Sequence, residues 1–118
     1  MILIVDDNED LRGLLEIALK EVGFRVETAV DGVDAYNHLS SEDCRCMLLD
    51  INMPRINGIE LLMLMQSEGL KVPTILMAGH GDYAEDEVLA IENVKAFLPK
   101  PFSIQDLVDA IQKHARIF

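Results

Sequence analysis

Four ionisable residues in this chain come just after short apolar runs: Asp6, Asp7, Asp50 and Lys100. Each acid taken alone is a common helix-cap or turn residue. Brought together, three carboxylates would repel one another unless a cation neutralised them. Mg²⁺ is a hard ion that binds one or two carboxylates together with phosphate oxygens, and a lysine supplies a point charge for the same anion. The pattern therefore indicates a Mg²⁺-assisted phosphoryl site with a carboxylate nucleophile.

The elements that must position these residues alternate along the chain. The apolar runs predict strands at 2–5, 26–29, 47–49, 74–77 and 96–98. Helical spacing predicts helices at 11–22, 33–39, 59–66 and 82–92, and a last one capped by Ser103. Most runs are continuously apolar, as in parallel strands covered on both faces. The order predicts an α/β fold, a doubly wound parallel sheet whose ligands bind at the carboxyl ends of its strands.

Composition excludes several function classes. Half of the 118 residues are apolar, mean hydropathy is +0.19 and the net charge is −11, so the charge belongs on a folded surface. Such acidity argues against direct nucleic-acid binding and against anionic membranes. Cys44 and Cys46 stand too close together to staple a fold and are expected to be reduced. With neither a linker nor a signal peptide evident, we expect one cytoplasmic domain over residues 1–118.

Three segments carry a family resemblance. They are the acidic pair within residues 4–8, a D-x-x-M-P pattern at 50–54 with Gly58 beyond it, and K-P-F at 100–102. In this order and spacing they resemble the receiver domain of two-component response regulators over essentially the whole chain. The resemblance implies a flavodoxin-like fold with five helices and a five-stranded sheet in the order 2-1-3-4-5.

The resemblance also implies a reaction. Asp50 would accept a phosphoryl group from a sensor histidine kinase or a phosphotransfer protein. Mg²⁺ would be bound directly by Asp7 and Asp50, through water by Asp6, and by the backbone carbonyl of Asn52. Lys100 would hold the phosphoryl oxygens, and the peptide bond that follows it, to Pro101, would be cis. The chain would then be a phosphoacceptor rather than an enzyme acting on an external substrate.

One position departs from the family pattern. The fourth strand of a receiver ends in Thr or Ser, whose hydroxyl binds the phosphoryl group and links phosphorylation to movement, whereas this chain has Ala78 there. Gly79 can still offer its backbone N–H. The switch aromatic is Phe97, which can equally be a core residue of the fifth strand. We expect Asp50 to be phosphorylated with a blunted or differently connected response.

Other positions resemble tuning and partner-binding sites. Asn52 and His80 match positions that set how fast water attacks the acyl phosphate, or they are solvated loop residues. The fourth helix, fifth strand and fifth helix would form the face that meets an output domain, an effector protein or a second copy. Ala96 replaces an acid that many DNA-binding regulators use in a dimer salt bridge, which argues against that symmetric dimer.

Three alternative functions stay open at this point. A degenerate receiver acting as a protein-interaction scaffold is favoured by Ala78 and opposed by the intact acids. A Mg²⁺-dependent haloacid-dehalogenase-like phosphohydrolase would place a second acid two residues after the nucleophile, where this chain has Asn52. A flavodoxin-like binding module would need a Gly/Ser/Thr-rich phosphate loop after the first strand, which is absent from the sequence.

Overall fold

The fold is a parallel sheet of five strands covered by helices on both faces. The computed structural model describes residues 1–41, 43–53, 55–79 and 84–115. The strands are Ile2–Val5 (β1), Val26–Ala29 (β2), Cys46–Asp50 (β3), Thr74–Gly79 (β4) and Val94–Lys100 (β5). The helices are Glu9–Val22 (α1), Gly32–Ser41 (α2), Gly58–Ser67 (α3), Glu85–Leu89 (α4) and Ile104–His114 (α5). The strand order is β2-β1-β3-β4-β5, which confirms the predicted fold class.

The sheet has a core on each of its two faces. Successive residues of a strand point to opposite faces, so Leu3 and Val5 enter one cluster while Ile2 and Ile4 enter the other. The first cluster includes side chains of α2, α3 and α4, and the second those of α1 and α5. Because both faces are buried, β1 is apolar at every position, which explains why the strands appear in the sequence as continuous runs.

Local signals define where the helices begin and end. The Asn8 side chain caps α1, and Gly23 ends it with a left-handed backbone at φ 108°. Ser103 caps α5 in a reciprocal arrangement with Asp106, as its position predicted. The same arrangement begins α3, where the Asn57 side chain accepts from the N–H of Glu60.

Three strands are longer than their apolar runs. Asp50 and Lys100 are the last residues of β3 and β5, whereas the apolar runs placed both of them beyond the strand ends. The parallel ladder continues through Asp50 beside Met77 and through Gly79 beside Lys100. Hydrogen bonds between strands form whether the side chains are polar or apolar. The apolar runs therefore predicted strand ends that come too early in the sequence.

The fourth helix is shorter than predicted, ending at Leu89 rather than Glu92. Asn93, shortly after this helix, has a left-handed backbone with φ 77°. Its carbonyl accepts from Thr74 N at 2.7 Å and its side-chain amide donates to Leu70 O at 3.1 Å. These bonds tie the chain to the entry of β4 and leave only a short helix before β5.

Two further expectations concern the cysteines and membranes. Cys44 and Cys46 are buried and reduced, and burial raises the pKa of the Cys46 thiol to about 12. Among the described residues, none of the helices combines the length and apolar character that a bilayer crossing requires.

Candidate functional site

Three acids and a lysine meet at the carboxyl edge of the sheet. Asp6 follows β1, Asp50 ends β3 and Lys100 ends β5. Carboxylate oxygens of Asp6, Asp7 and Asp50 lie within 4.8 Å of one another. The Lys100 ammonium is 3.4 Å from Asp6 Oδ2 and 3.4 Å from Asp50 Oδ1. The structure therefore brings together the four residues whose positions in the sequence indicated chemistry.

The Asp6 carboxylate is buried and held from several sides. Its Oδ1 accepts from Asn8 N at 2.8 Å, while Oδ2 faces Lys100. The Arg12 guanidinium donates from Nη1 to the backbone carbonyl of Asp6 at 2.8 Å. Arg12 was not predicted from the sequence. The sequence feature that could have pointed to it is a basic residue near the start of the helix that follows an acidic pair. Arg12 ties α1 to the connection that carries both Asp6 and Asp7.

Burial and repulsion raise the pKa of Asp50 to about 6. Desolvation is the larger cause, and the nearby Asp6 carboxylate adds to it. Lys100 and the backbone N–H of Asn52 act in the opposite direction without cancelling the rise. The Lys100 ammonium is shared between two buried carboxylates, so the site retains unbalanced negative charge. A hard divalent cation with oxygen ligands fits this set of donors.

The end of β4 lines the same edge without a hydroxyl. Ala78 is completely buried and pairs with Pro99, and Gly79 pairs with Lys100. Phe97 is half-buried and packs against the core cluster that contains Ala78. The Lys100–Pro101 peptide bond is cis, as predicted. Asn52 is exposed, and His80 lies outside the described residues.

Comparison with known proteins identifies the family. Residues 2–112 match the model of the response regulator receiver domain. The chain belongs to this family. It is therefore a receiver domain of the two-component signalling systems, and such domains are generally signalling domains rather than enzymes.

Curated relatives and solved structures agree with that assignment. The receiver is 37% identical over 108 residues to the transcriptional regulatory protein TctD of Salmonella typhimurium, covering 90% of this chain and 47% of TctD. It is 32% identical over 107 residues to the response regulator MprA of Mycobacterium avium, covering 91% of this chain and 47% of MprA. The chain thus spans about half the length of these curated relatives.

Among solved structures, the receiver domain of NtrX from Brucella abortus superposes with a TM-score of 0.87 at 27% identity, covering 96% of each chain. The FixJ-N structure gives a TM-score of 0.86 at 27% identity, with 95% and 90% of the two chains covered. The five-stranded fold of the receiver is therefore matched over nearly its whole length.

The receiver site suits the cation that the family implies. Receiver domains typically bind Mg²⁺ at an acidic cluster, and Asp6, Asp7 and Asp50 form such a cluster here. The two buried acids sit on the sheet, while Asp7 is exposed at its rim. One of the three carboxylates of the cluster is thus open to solvent.

Proposed function

We propose that this receiver accepts a phosphoryl group on Asp50 in a Mg²⁺-dependent reaction. The donor is the phosphohistidine of a sensor histidine kinase or of a phosphotransfer protein in the cytoplasm. The observation that carries the proposal is the Asp50 carboxylate at the sheet edge, which lies close to Asp6 and Asp7 and contacts the Lys100 ammonium.

In the proposed reaction, a carboxylate oxygen of Asp50 bonds to phosphorus as the phosphorus–nitrogen bond of the donor breaks. The electron pair of that bond leaves with the imidazole, and the product is an acyl phosphate. A carboxylate nucleophile carries no proton, so the chain needs no general base for this step. Asp50 must be ionised. Burial and Asp6 disfavour that form, whereas Lys100, the Asn52 N–H and a bound cation would favour it.

The remaining site residues would position the phosphoryl group and neutralise its charge. Asp7, Asp50 and the backbone carbonyl of Asn52 would hold Mg²⁺, with Asp6 contributing through water, and the bound ion would neutralise charge on the phosphoryl oxygens. Lys100 Nζ and the backbone N–H of Gly79 would bind the same oxygens. Asn52, and by resemblance His80, would set how fast water removes the phosphoryl group.

The output is proposed to pass through the face formed by α4, β5 and α5. Ala78 and Phe97 stand at the switch positions, and a buried methyl group at Ala78 cannot bind a phosphoryl oxygen. We expect a weakened response at this face, toward an output domain, an effector protein or a second copy of the chain. The missing hydroxyl also favours a second candidate, a scaffold that binds partners without phosphorylation.

Intact-protein mass spectrometry distinguishes these two functions. After incubation with acetyl phosphate and Mg²⁺, we expect the mass of one added phosphoryl group. Hydroxylamine should remove it, and it should not form when a chelator is present during the incubation. Asp50→Ala should show none, and Asp109→Ala, which removes an exposed acid on α5, should behave as the parent does. No adduct on the parent, or an adduct that persists in Asp50→Ala, would refute the phosphoacceptor function.

A further inference from the structure

An ion pair joins two loops at the rim of the site. Asp31, between β2 and α2, is only 6% exposed. The Arg55 guanidinium, between β3 and α3, donates to Asp31 Oδ2 from Nε at 2.9 Å and also from Nη2. Asp31 Oδ1 accepts from Asp34 N at 2.9 Å. Both oxygens of this buried carboxylate are therefore used, one by its own helix and the other by the neighbouring loop.

The electrostatics of Asp31 fit an ionised partner for the arginine. The hydrogen bond from Asp34 N lowers the pKa of Asp31 most, and the Arg55 guanidinium lowers it further against the opposing effect of burial. Two N–H groups of one rigid guanidinium that donate to the same carboxylate oxygen have a more fixed geometry than a lysine contact would have. The pair can therefore act as a defined tether between the two loops.

The tethered loop is the one that follows the phosphoacceptor. At its base, Gly58 N donates to Ile51 O at 2.9 Å. On its flank, Gly32 lies so near that a Cβ added there would stand 2.5 Å from the Ile56 carbonyl oxygen. At its tip, Arg55 has a left-handed backbone with φ 65°, which an arginine rarely adopts without help. The contact with Asp31 supplies that help.

We propose that Asp31 and Arg55 are positioning residues, which hold the Asn52 backbone where its carbonyl can bind Mg²⁺. This inference rests on the proposed function, which assigns that carbonyl to the cation. Asn52 lies between β3, which fixes Asp50, and the Arg55 tether three residues later. A backbone carbonyl can be aimed only by fixing the chain on both sides of it. The tether thereby raises cation affinity without touching the cation.

Matched variants test the tether. Asp31→Asn keeps an oxygen for Asp34 N and loses the charge, while Arg55→Asn removes the guanidinium in favour of a residue that tolerates the left-handed backbone. Mg²⁺ binding to the unphosphorylated protein is measured by isothermal titration calorimetry. We expect the Kd to rise roughly tenfold in each variant, as for other residues that orient metal ligands. The double variant should bind Mg²⁺ no more weakly than the weaker-binding single variant, because both substitutions remove the same contact.

Two further measurements separate positioning from simple stabilisation. Without Mg²⁺, amide hydrogen exchange in residues 51–57 should speed up in both variants while that of β1 is unchanged. Arg25→Asn, which removes an exposed arginine at the opposite edge of the sheet, should leave both exchange and Mg²⁺ affinity as in the parent. If Asp31→Asn fails to fold, Arg55→Asn still tests the proposal, since the Arg55 side chain is largely exposed.

The outcomes also separate this inference from the proposed function. A lowered melting temperature with unchanged Mg²⁺ Kd, in a protein that is still phosphorylated on Asp50, would overturn the tether alone. A parent protein that takes no phosphoryl group, but whose Mg²⁺ affinity depends on Asp31 and Arg55, would support the tether and overturn the phosphoacceptor function.

Discussion

Asp50 occupies an environment that disfavours the charge it would need for the proposed nucleophilic attack. Burial and the nearby Asp6 carboxylate raise its pKa. Lys100 offsets only part of this rise, and the resulting pKa is about 6. The raised pKa means that the folded protein binds a proton more tightly than the unfolded chain between about pH 4 and pH 6. The free energy of unfolding that this group contributes is therefore lost as pH rises through that window. At neutral pH the metal-free site is a source of instability.

Asp50→Asn should stabilise the metal-free protein at pH 7.5 by on the order of 2 kcal/mol, seen as a melting temperature several degrees higher. The gain should vanish near pH 4, where the native carboxyl is protonated. Thermal unfolding in chelator at the two pH values measures it, with Asp86→Asn, an exposed acid on α4, as the control. An equal gain at both pH values would contradict the assigned cause.

At the scale of elements, the site depends on how closely α3 approaches β3. Gly58 begins α3, and a Cβ there would lie 2.7 Å from the Asp50 carbonyl oxygen and 2.9 Å from Ile51 Cα. Those neighbours are backbone atoms of Asp50 itself and of the residue after it, so they cannot move aside without shifting Asp50. The glycine is thus required by space rather than by its dihedral angles.

Gly58→Ala should lower the free energy of unfolding by about 1–3 kcal/mol, the usual cost of overpacking. Gly13→Ala is the matched control, because Gly13 lies within α1 and a Cβ there meets no atom within 4 Å. That substitution should instead raise stability by up to about 1 kcal/mol through helix propensity. Urea denaturation measures both variants. If Gly58→Ala and Gly13→Ala changed the free energy of unfolding equally, the close approach of α3 to β3 would not contribute to stability.

At the scale of the whole molecule, the site and the α4-β5-α5 face are linked through β4 and β5. Gly79 pairs with Lys100, so the end of β4 lies next to a site residue, and Ala78 and Phe97 pack on the α4 side of the sheet. A hydroxyl at position 78 would add a charge-assisted hydrogen bond to a phosphoryl group, about 1.5–3 kcal/mol. That amount changes a two-state equilibrium by about tenfold or more.

Ala78→Ser and Ala78→Thr should therefore enlarge the phosphorylation-linked change by about tenfold. We would measure it as the ratio of self-association constants with and without acetyl phosphate by sedimentation. Serine is included because position 78 is completely buried and threonine adds more volume. Ala18→Ser on α1 is the control. The same ratio in parent and variants, all phosphorylated to the same extent, would mean that Ala78 does not limit the response.

Much of the fold and of the site follows from the sequence. The alternation of apolar runs and helical patterns, together with the rule that ligands bind at the carboxyl ends of parallel strands, placed Asp6, Asp7, Asp50 and Lys100 at one edge. Their proximity is confirmed. These inferences succeed because periodicity and strand polarity are local properties, and the geometry of a parallel sheet converts them into position.

The tertiary structure decided what depends on contacts between distant segments. Asp31 and Arg55 are 24 residues apart, and neither lies in a pattern that points to the other. The pKa of Asp50 likewise depends on how deeply β3 is buried and how near Asp6 comes to it. The sequence by itself determined the elements and the edge at which the acids meet. Loop-to-loop contacts and desolvation arise only when the chain is packed, so the structure alone decided how that edge is held and how its charge is balanced.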